Sequence, residues 1–245
     1  MADNIELFIK KKELLFKNKE ILEQKLKSAI QQYEKLKNTE IDKKQQRLEI
    51  SAKNVARRMN ALEQIKDQIF FLRPSTKEDT EYRLRQYDEF SKRMRACIPD
   101  NLPLRFHGCP IYTAKRIIES GELSSSVDRL GIETSYDVAG QISVTTKNSL
   151  ETTVQSYAGL NANYELPAGC IFVLLPKDEA DAENGKSMLM NNVNIRMEPD
   201  RLFAIITTPE NYERLEEWCK NNNIEEEKIY DYDGFERLFK KNKIY

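Results

Sequence analysis

Leu104-Arg105-Phe106-His107-Gly108-Cys109-Pro110-Ile111-Tyr112-Thr113-Ala114-Lys115-Arg116-Ile117-Ile118-Glu119-Ser120-Gly121-Glu122-Leu123 decides how this 245-residue chain is read. Leu104 to His107 alternates apolar and polar side chains, the two-residue period of a half-buried strand. Gly108 follows at its end. Tyr112 to Ser120 then changes to the helical period, with apolar residues on one face and Lys115, Arg116 and Glu119 among them. Gly121 stands where a helix ends on a left-handed residue. A strand followed at once by an amphipathic helix marks the start of a sheet-containing domain.

Downstream, the same two signals recur. Gln141–Thr145, Cys170–Leu175, Val193–Met197 and Leu202–Thr207 read as strands, rich in Val, Ile and Phe. Ser149–Ala158, Pro209–Asn221 and Asp233–Lys241 read as helices, and Ser124–Ala139 as a polar loop. Residues 104–245 are therefore expected to form one mixed α+β domain of about 140 residues. Trp218 is read as a packing anchor of the 209–221 helix.

Upstream, the composition is different. All eight glycines lie at or after position 108 and all eight prolines at or after position 74, so residues 1–73 hold no strong helix breaker. Phe8, Leu15, Leu22, Ala29 and Leu36 repeat every seven residues, joined by Leu26 and Tyr33. Leu48, Val55, Leu62 and Ile69 repeat every seven again, with Ala52, Met59 and Leu72 beside them. These are heptad seams, and the two are out of phase. Asn38, Thr39 and Asp42, between them, are capping residue types. The spacing favours an antiparallel helical hairpin over 1–73 with its turn near 38–42. The alternative is one helix of about 70 residues in an intermolecular coiled coil, with self-association through it. Residues 74–98 read as a connecting helix over about 77–96, with Tyr82, Leu84, Tyr87, Phe90 and Met94 as its apolar positions, before the turn-rich Pro99–Pro103.

Charge and cysteine content narrow the classes. Residues 1–73 carry 17 Lys/Arg against 11 Asp/Glu, and residues 74–245 carry 22 against 29. The basic part is mild and evenly mixed, a solvated helix surface rather than a nucleic-acid footprint. No window approaches the roughly 20 apolar residues of a membrane span. Met1–Phe16 lacks the pattern of a secretory signal peptide. The expectation is a cytoplasmic protein, or one exported by a signal-independent system. Cys97, Cys109, Cys170 and Cys219 are widely spaced with no Cys-x-x-Cys pair, which fits buried free thiols in a reducing compartment and argues against structural zinc.

The common catalytic signatures (phosphate loop, dinucleotide Gly-rich turn, His-Glu-x-x-His, nucleophile elbow) are absent. His107 is the one histidine, so any His-dependent chemistry uses it. Cys109 shares its face of the strand, but a Cys–His nucleophile pair usually joins residues distant in sequence. Arg105 also shares that face, where a guanidinium is suited to holding a diphosphate bidentately.

In order and spacing, these parts resemble the ADP-ribosyltransferase-like superfamily. The nearest group holds the poly(ADP-ribose) polymerase catalytic domains, RNA 2′-phosphotransferases and DNA-modifying ADP-ribosyltransferase toxins. The shared pattern is a strand ending His107-Gly108, then a helix ending Ile117-Ile118-Glu119-Ser120-Gly121-Glu122-Leu123, which has one residue extra. It continues with a Gly-led strand (Gly140–Thr146), a helix ending Tyr157-Ala158, and a late strand leading into Pro199 and an Ile-rich strand. The resemblance spans roughly 104–215 and leaves out residues 1–98.

It implies a cleft for NAD as co-substrate. His107 would hydrogen-bond a ribose, Gly108 would admit the nicotinamide amide to the backbone, and Tyr157 would stack on the nicotinamide ring. Ser143 and Thr145 would steady the cleft, with Arg105 as a diphosphate contact. The family's late-strand glutamate has no counterpart here. Asn192 or Asn194 falls nearest, and Glu198 is the closest carboxylate, so Asn194 and Glu198 enter the candidate catalytic set with His107 and Tyr157.

The expected function is transfer of a single ADP-ribose unit to a macromolecular acceptor, a protein rather than nucleic acid. A coiled coil joined to such a domain suits a bacterial toxin or injected effector by association. The missing glutamate keeps open a non-catalytic interaction protein that recruits partners through its coiled coil. RNA 2′-phosphate processing would need more basic residues than Arg105, Arg116 and Arg129.

Overall fold

The computed structural model describes residues 2–37, 44–71, 76–124, 142–150, 169–175, 181–184, 187–190 and 194–240. The N-terminal part is a helical hairpin of α1 (Ala2–Lys37) and α2 (Lys44–Phe71). The turn expected near 38–42 lies outside the described residues. Ala29 and Leu62 are buried in the hairpin, and the Arg58 guanidinium donates to the Lys25 carbonyl at 2.5 Å. Ala52 and Met59, expected beside the seam, face outward. The covered stripe follows the Leu48, Val55, Leu62 and Ile69 line, and the alternate heptad positions stay exposed.

A third helix, α3 (Lys77–Cys97), leads into the sheet domain. Phe90 and Met94 are buried on it as expected, but Tyr82 is exposed. The strands that follow are β1 (Arg105–Cys109), β2 (Glu122–Ser124), β3 (Ile142–Val144), β4 (Cys170–Leu174), β5 (Asp181–Asn184), β6 (Ser187–Met190), β7 (Asn194–Arg196), β8 (Leu202–Thr207) and β9 (Ile229–Tyr230). The helices among them are α4 (Ile111–Ser120), α5 (Pro209–Asn221) and α6 (Tyr232–Lys240). The main sheet runs β1-β4-β8-β9. Its first two pairings are antiparallel and β8–β9 is parallel, so the sheet is mixed. Hairpin and mixed sheet together give an α+β protein.

Two smaller ladders join it. β2 pairs antiparallel with β7, and β3, β6 and β5 form a three-stranded antiparallel sheet. Thr145, just after β3, exchanges both backbone hydrogen bonds with Phe106 at 2.9 Å. That bridge ties the second ladder to the free edge of β1.

The pleat sorts side chains into two cores. On one face Cys109, Cys170, Phe172 and Leu174 pack against α4, α5 and the end of α2. On the other, Phe106, Ile171 and Val173 pack against α3 and α6. β4 is buried along its whole length, as expected for a central strand with both faces covered. Phe71, the last residue of α2, fixes the hairpin to the first core. Its ring meets Trp218 edge-on at 6.2 Å and lies under the Arg214 guanidinium at 5.2 Å. On the far side Phe90 stacks on Tyr232 at 4.0 Å, and Arg93 bonds both Asp233 and Glu236 at 2.6 Å, joining α3 to α6.

Candidate functional site

By strand alternation, Arg105, His107 and Cys109 share the face of β1 that looks toward α4, while Phe106 and Gly108 face α3 and α6. α4 begins two residues after β1, because Pro110 supplies the extended N-cap (φ −61°, ψ 159°). It ends at Gly121, whose φ of +67° reverses the chain without Cβ strain. The reversal lays β2 beside β7, with Glu122 opposite Arg196 and Ser124 opposite Asn194.

This strand–helix–strand path encloses a cavity of about 410 Å³, open to solvent on one side. His107 enters it from β1, Thr113 and Arg116 from α4, and Glu122 and Ser124 from β2. Asn60 of α2 completes one wall, so the hairpin is part of the site. A pocket of this size with a few convergent polar groups is the usual form of a small-molecule site.

Charges around the cavity come in opposed pairs. Arg116 Nε lies 3.1 Å from Asp67 Oδ2 of α2. Lys115 contacts Glu119 at 2.8 Å and Asp67 at 3.7 Å. The Glu122 carboxylate lies 3.5 Å from Arg196 Nε. No cluster of three or more metal-ligating side chains occurs among the described residues.

The other candidates fall in different places. Arg105 does not line the cavity; its guanidinium donates to the carbonyls of Pro103 and Leu104 at 3.3 and 3.4 Å. Gly108 sits on the opposite pleat from His107. Thr145 is buried in the bridge to Phe106. Ser143 occupies the middle of β3, opposite Leu189. Asn194 opens β7 as an exposed residue across from Ser124. Glu198 lies two residues beyond the other end of β7, exposed, its carbonyl accepting from the Arg201 and Leu202 amides. Tyr157 and Asn192 lie outside the described residues.

Glu122 is the carboxylate that the motif reading passed over. It is the extra residue between Gly121 and Leu123, and that one-residue excess was the available signal. Leu123 takes the buried position on β2, and Glu122 beside it lines the cavity half-buried.

The four cysteines are free and buried. Burial drives the Cys170 thiol well above its ordinary range, with neighbouring Cys109 adding to the effect. Cys219 is pushed up to about 12 by burial and then by Glu226. Burial thus disfavours the thiolate form that a nucleophilic cysteine needs.

A larger cavity, about 470 Å³, lies at the opposite edge of the main sheet, beside β9, between Tyr212 and Arg237. It contains none of the residues singled out in the sequence. Among the described residues, no helix is long and apolar enough to cross a membrane. No protein-family model, no curated protein and no solved structure matches this chain.

Proposed function

We propose that this protein binds NAD in the His107 cavity and transfers ADP-ribose to a macromolecular acceptor, a protein, as a mono-ADP-ribosyltransferase. The observation that carries the reading is the convergence of His107, Arg116 and Glu122, from three successive elements, on one solvent-open cavity. The residues suit the substrate. An imidazole hydrogen-bonds a ribose hydroxyl, a guanidinium meets a diphosphate, and a carboxylate faces the positive charge that develops as the nicotinamide–ribose bond lengthens. In this reading Glu122 takes the role for which Asn194 lacks the charge and Glu198 the position. The bonding electrons leave with the nicotinamide nitrogen, and an acceptor nucleophile then bonds to the ribosyl carbon and loses its proton.

The test is nicotinamide release from NAD by the full chain, with a cell lysate as acceptor source, alongside His107→Ala and Tyr157→Ala. Release that is lost in both variants supports the reading. NAD binding that is absent, or indifferent to His107, overturns it.

A second reading, a non-catalytic interaction protein, draws on a separate observation. Among the described residues, every exposed large apolar side chain except Tyr82 lies on α1 or α2, including Leu14, Phe16, Ile50 and Phe70. Such a concentration marks a surface that contacts other molecules. NAD binding without nicotinamide release would favour this reading.

A further inference from the structure

We propose that Arg116 is the diphosphate-holding residue of the cavity, and that Asp67 of the hairpin is its built-in competitor. An anion entering the site then displaces the contact that anchors α2.

The pair is close but poorly matched. Arg116 Nε and Asp67 Oδ2 lie 3.1 Å apart, with side chains 16% and 17% exposed. Both atoms are buried, yet neither has an aligned hydrogen bond. Asp67 therefore supplies charge to Arg116 without satisfying its donor. A guanidinium carries five N–H donors in a planar fork, and a phosphate accepts two of them in parallel. Asp67 is the one ion-pair partner of Arg116 among the described residues. Thr113, three residues earlier on α4 and so on the same side of the helix, also lines the cavity with its hydroxyl side chain.

The electrostatics work in the same direction. Among the described residues, Arg116, Lys115 and Arg196 are opposed by Asp67, Glu119 and Glu122, three charges of each sign. An anion gains net attraction there only by displacing a resident carboxylate. Glu119 is local to α4 and Glu122 belongs to the ladder with β7, so neither moves without its element. Asp67 sits on a helix that Phe71 ties to the core, and its second contact, with Lys115 at 3.7 Å, is the longer one. It is the carboxylate whose release has a structural consequence: α2, and with it the Asn60 wall, loosens when Arg116 turns to a ligand. By linkage, whatever holds the hairpin down opposes anion binding, and whatever lifts it favours binding.

That the anion is the diphosphate of NAD rests on the function proposed above; the anion site itself does not. Binding of ADP and of inorganic pyrophosphate to the full chain is measured by titration calorimetry for wild type, Asp67→Asn and Arg116→Gln. Hydrogen exchange of wild-type α2 is followed with and without ADP. Asp67→Asn is expected to bind ADP about tenfold more tightly, Arg116→Gln to lose binding, and ADP to speed exchange over residues 60–71. Tighter binding of ADP than of pyrophosphate assigns a nucleotide, equal binding a bare diphosphate, and either supports the site. Unchanged affinity in either variant overturns the proposal, as does exchange that ADP leaves unaltered or slows. The exchange measurement uses wild type and does not depend on either variant folding. Nicotinamide release, assayed in parallel, separates the two ideas: its absence removes the transferase reading and leaves the anion site standing.

Discussion

Glu122 on β2 stands directly across from Arg196 on β7, its carboxylate 3.5 Å from the guanidinium. Arg196 is largely solvent-exposed, so the pair contributes little to stability. If Glu122 stabilises the developing ribosyl cation, Glu122→Gln lowers nicotinamide release about 100-fold, with NAD binding retained. Arg196→Gln, which removes only an exposed counter-charge, stays within about twofold. Single-turnover release assays beside equilibrium NAD binding check this. Equal rates for wild type and Glu122→Gln would exclude Glu122 from the chemistry.

Two glycines differ in what a methyl group would meet. A Cβ on Gly169 would lie 1.7 Å from the Cys109 carbonyl oxygen and 2.7 Å from Pro110 Cα, both backbone atoms. Relief requires separating β1 from β4 at the start of the core strand. Gly169→Ala is expected to cost more than about 4 kcal/mol and to yield little folded protein. Gly121 has φ +67° and open space around its Cβ direction, so Gly121→Ala pays only the left-handed backbone penalty, about 1–2 kcal/mol. Urea midpoints and soluble yields of the two variants distinguish these cases.

The elements legible in the sequence are those with a strong period or dense β-branched content. The heptads of 1–73 give the α1–α2 hairpin, Leu202–Thr207 gives β8, and Pro209–Asn221 gives α5 with its proline at the first turn. β5 is Asp181-Ala182-Glu183-Asn184, four residues with poor strand propensity, and was unreadable because pairing with β6 rather than composition makes it a strand. β2 and β9 are too short to show a period. At the site, strand alternation placed His107 on the α4-facing side. It also placed Arg105 there, but the long guanidinium folds back onto the Pro103 and Leu104 carbonyls, which alternation does not foresee. Asn60 and Asp67 were invisible as site residues, since their role depends on how the hairpin lies across α4.

Phe71 anchors the hairpin against Trp218 with 6% of its surface exposed, while its neighbour Phe70 is 78% exposed. Truncation at the two positions should therefore diverge. Phe71→Ala opens a cavity in the core and loses the ring contacts with Trp218 and Arg214, at about 3–4 kcal/mol. Phe70→Ala changes stability by less than about 0.5 kcal/mol. Chemical denaturation followed by Trp218 fluorescence reports both. Equal effects would mean that α2 does not pack on the sheet domain in solution.

Arg93 of α3 bonds two carboxylates of α6, and their surroundings separate their worth. Asp233 is 62% exposed, whereas the Glu236 side chain is 11% exposed and also accepts from Lys240 at 2.9 Å. The hydrogen bond from Arg93, then that from Lys240, hold the Glu236 carboxyl below its ordinary value of 4.5. A depressed folded-state pKa means that the unfolded chain takes up the proton first. The stabilisation is thus fully present above 4.5 and is lost as the pH falls through the lower folded value. Glu236→Gln should lower stability by about 2 kcal/mol near neutrality, a melting-temperature loss of about 4–8 °C. Asp233→Asn, in solvent, should change stability by less than about 1 kcal/mol. The gap between wild type and Glu236→Gln should stay constant from about pH 6 to 8 and close as the pH is taken below 4.5. A gap that instead persists into acid would place the loss in packing rather than in the charge on Glu236.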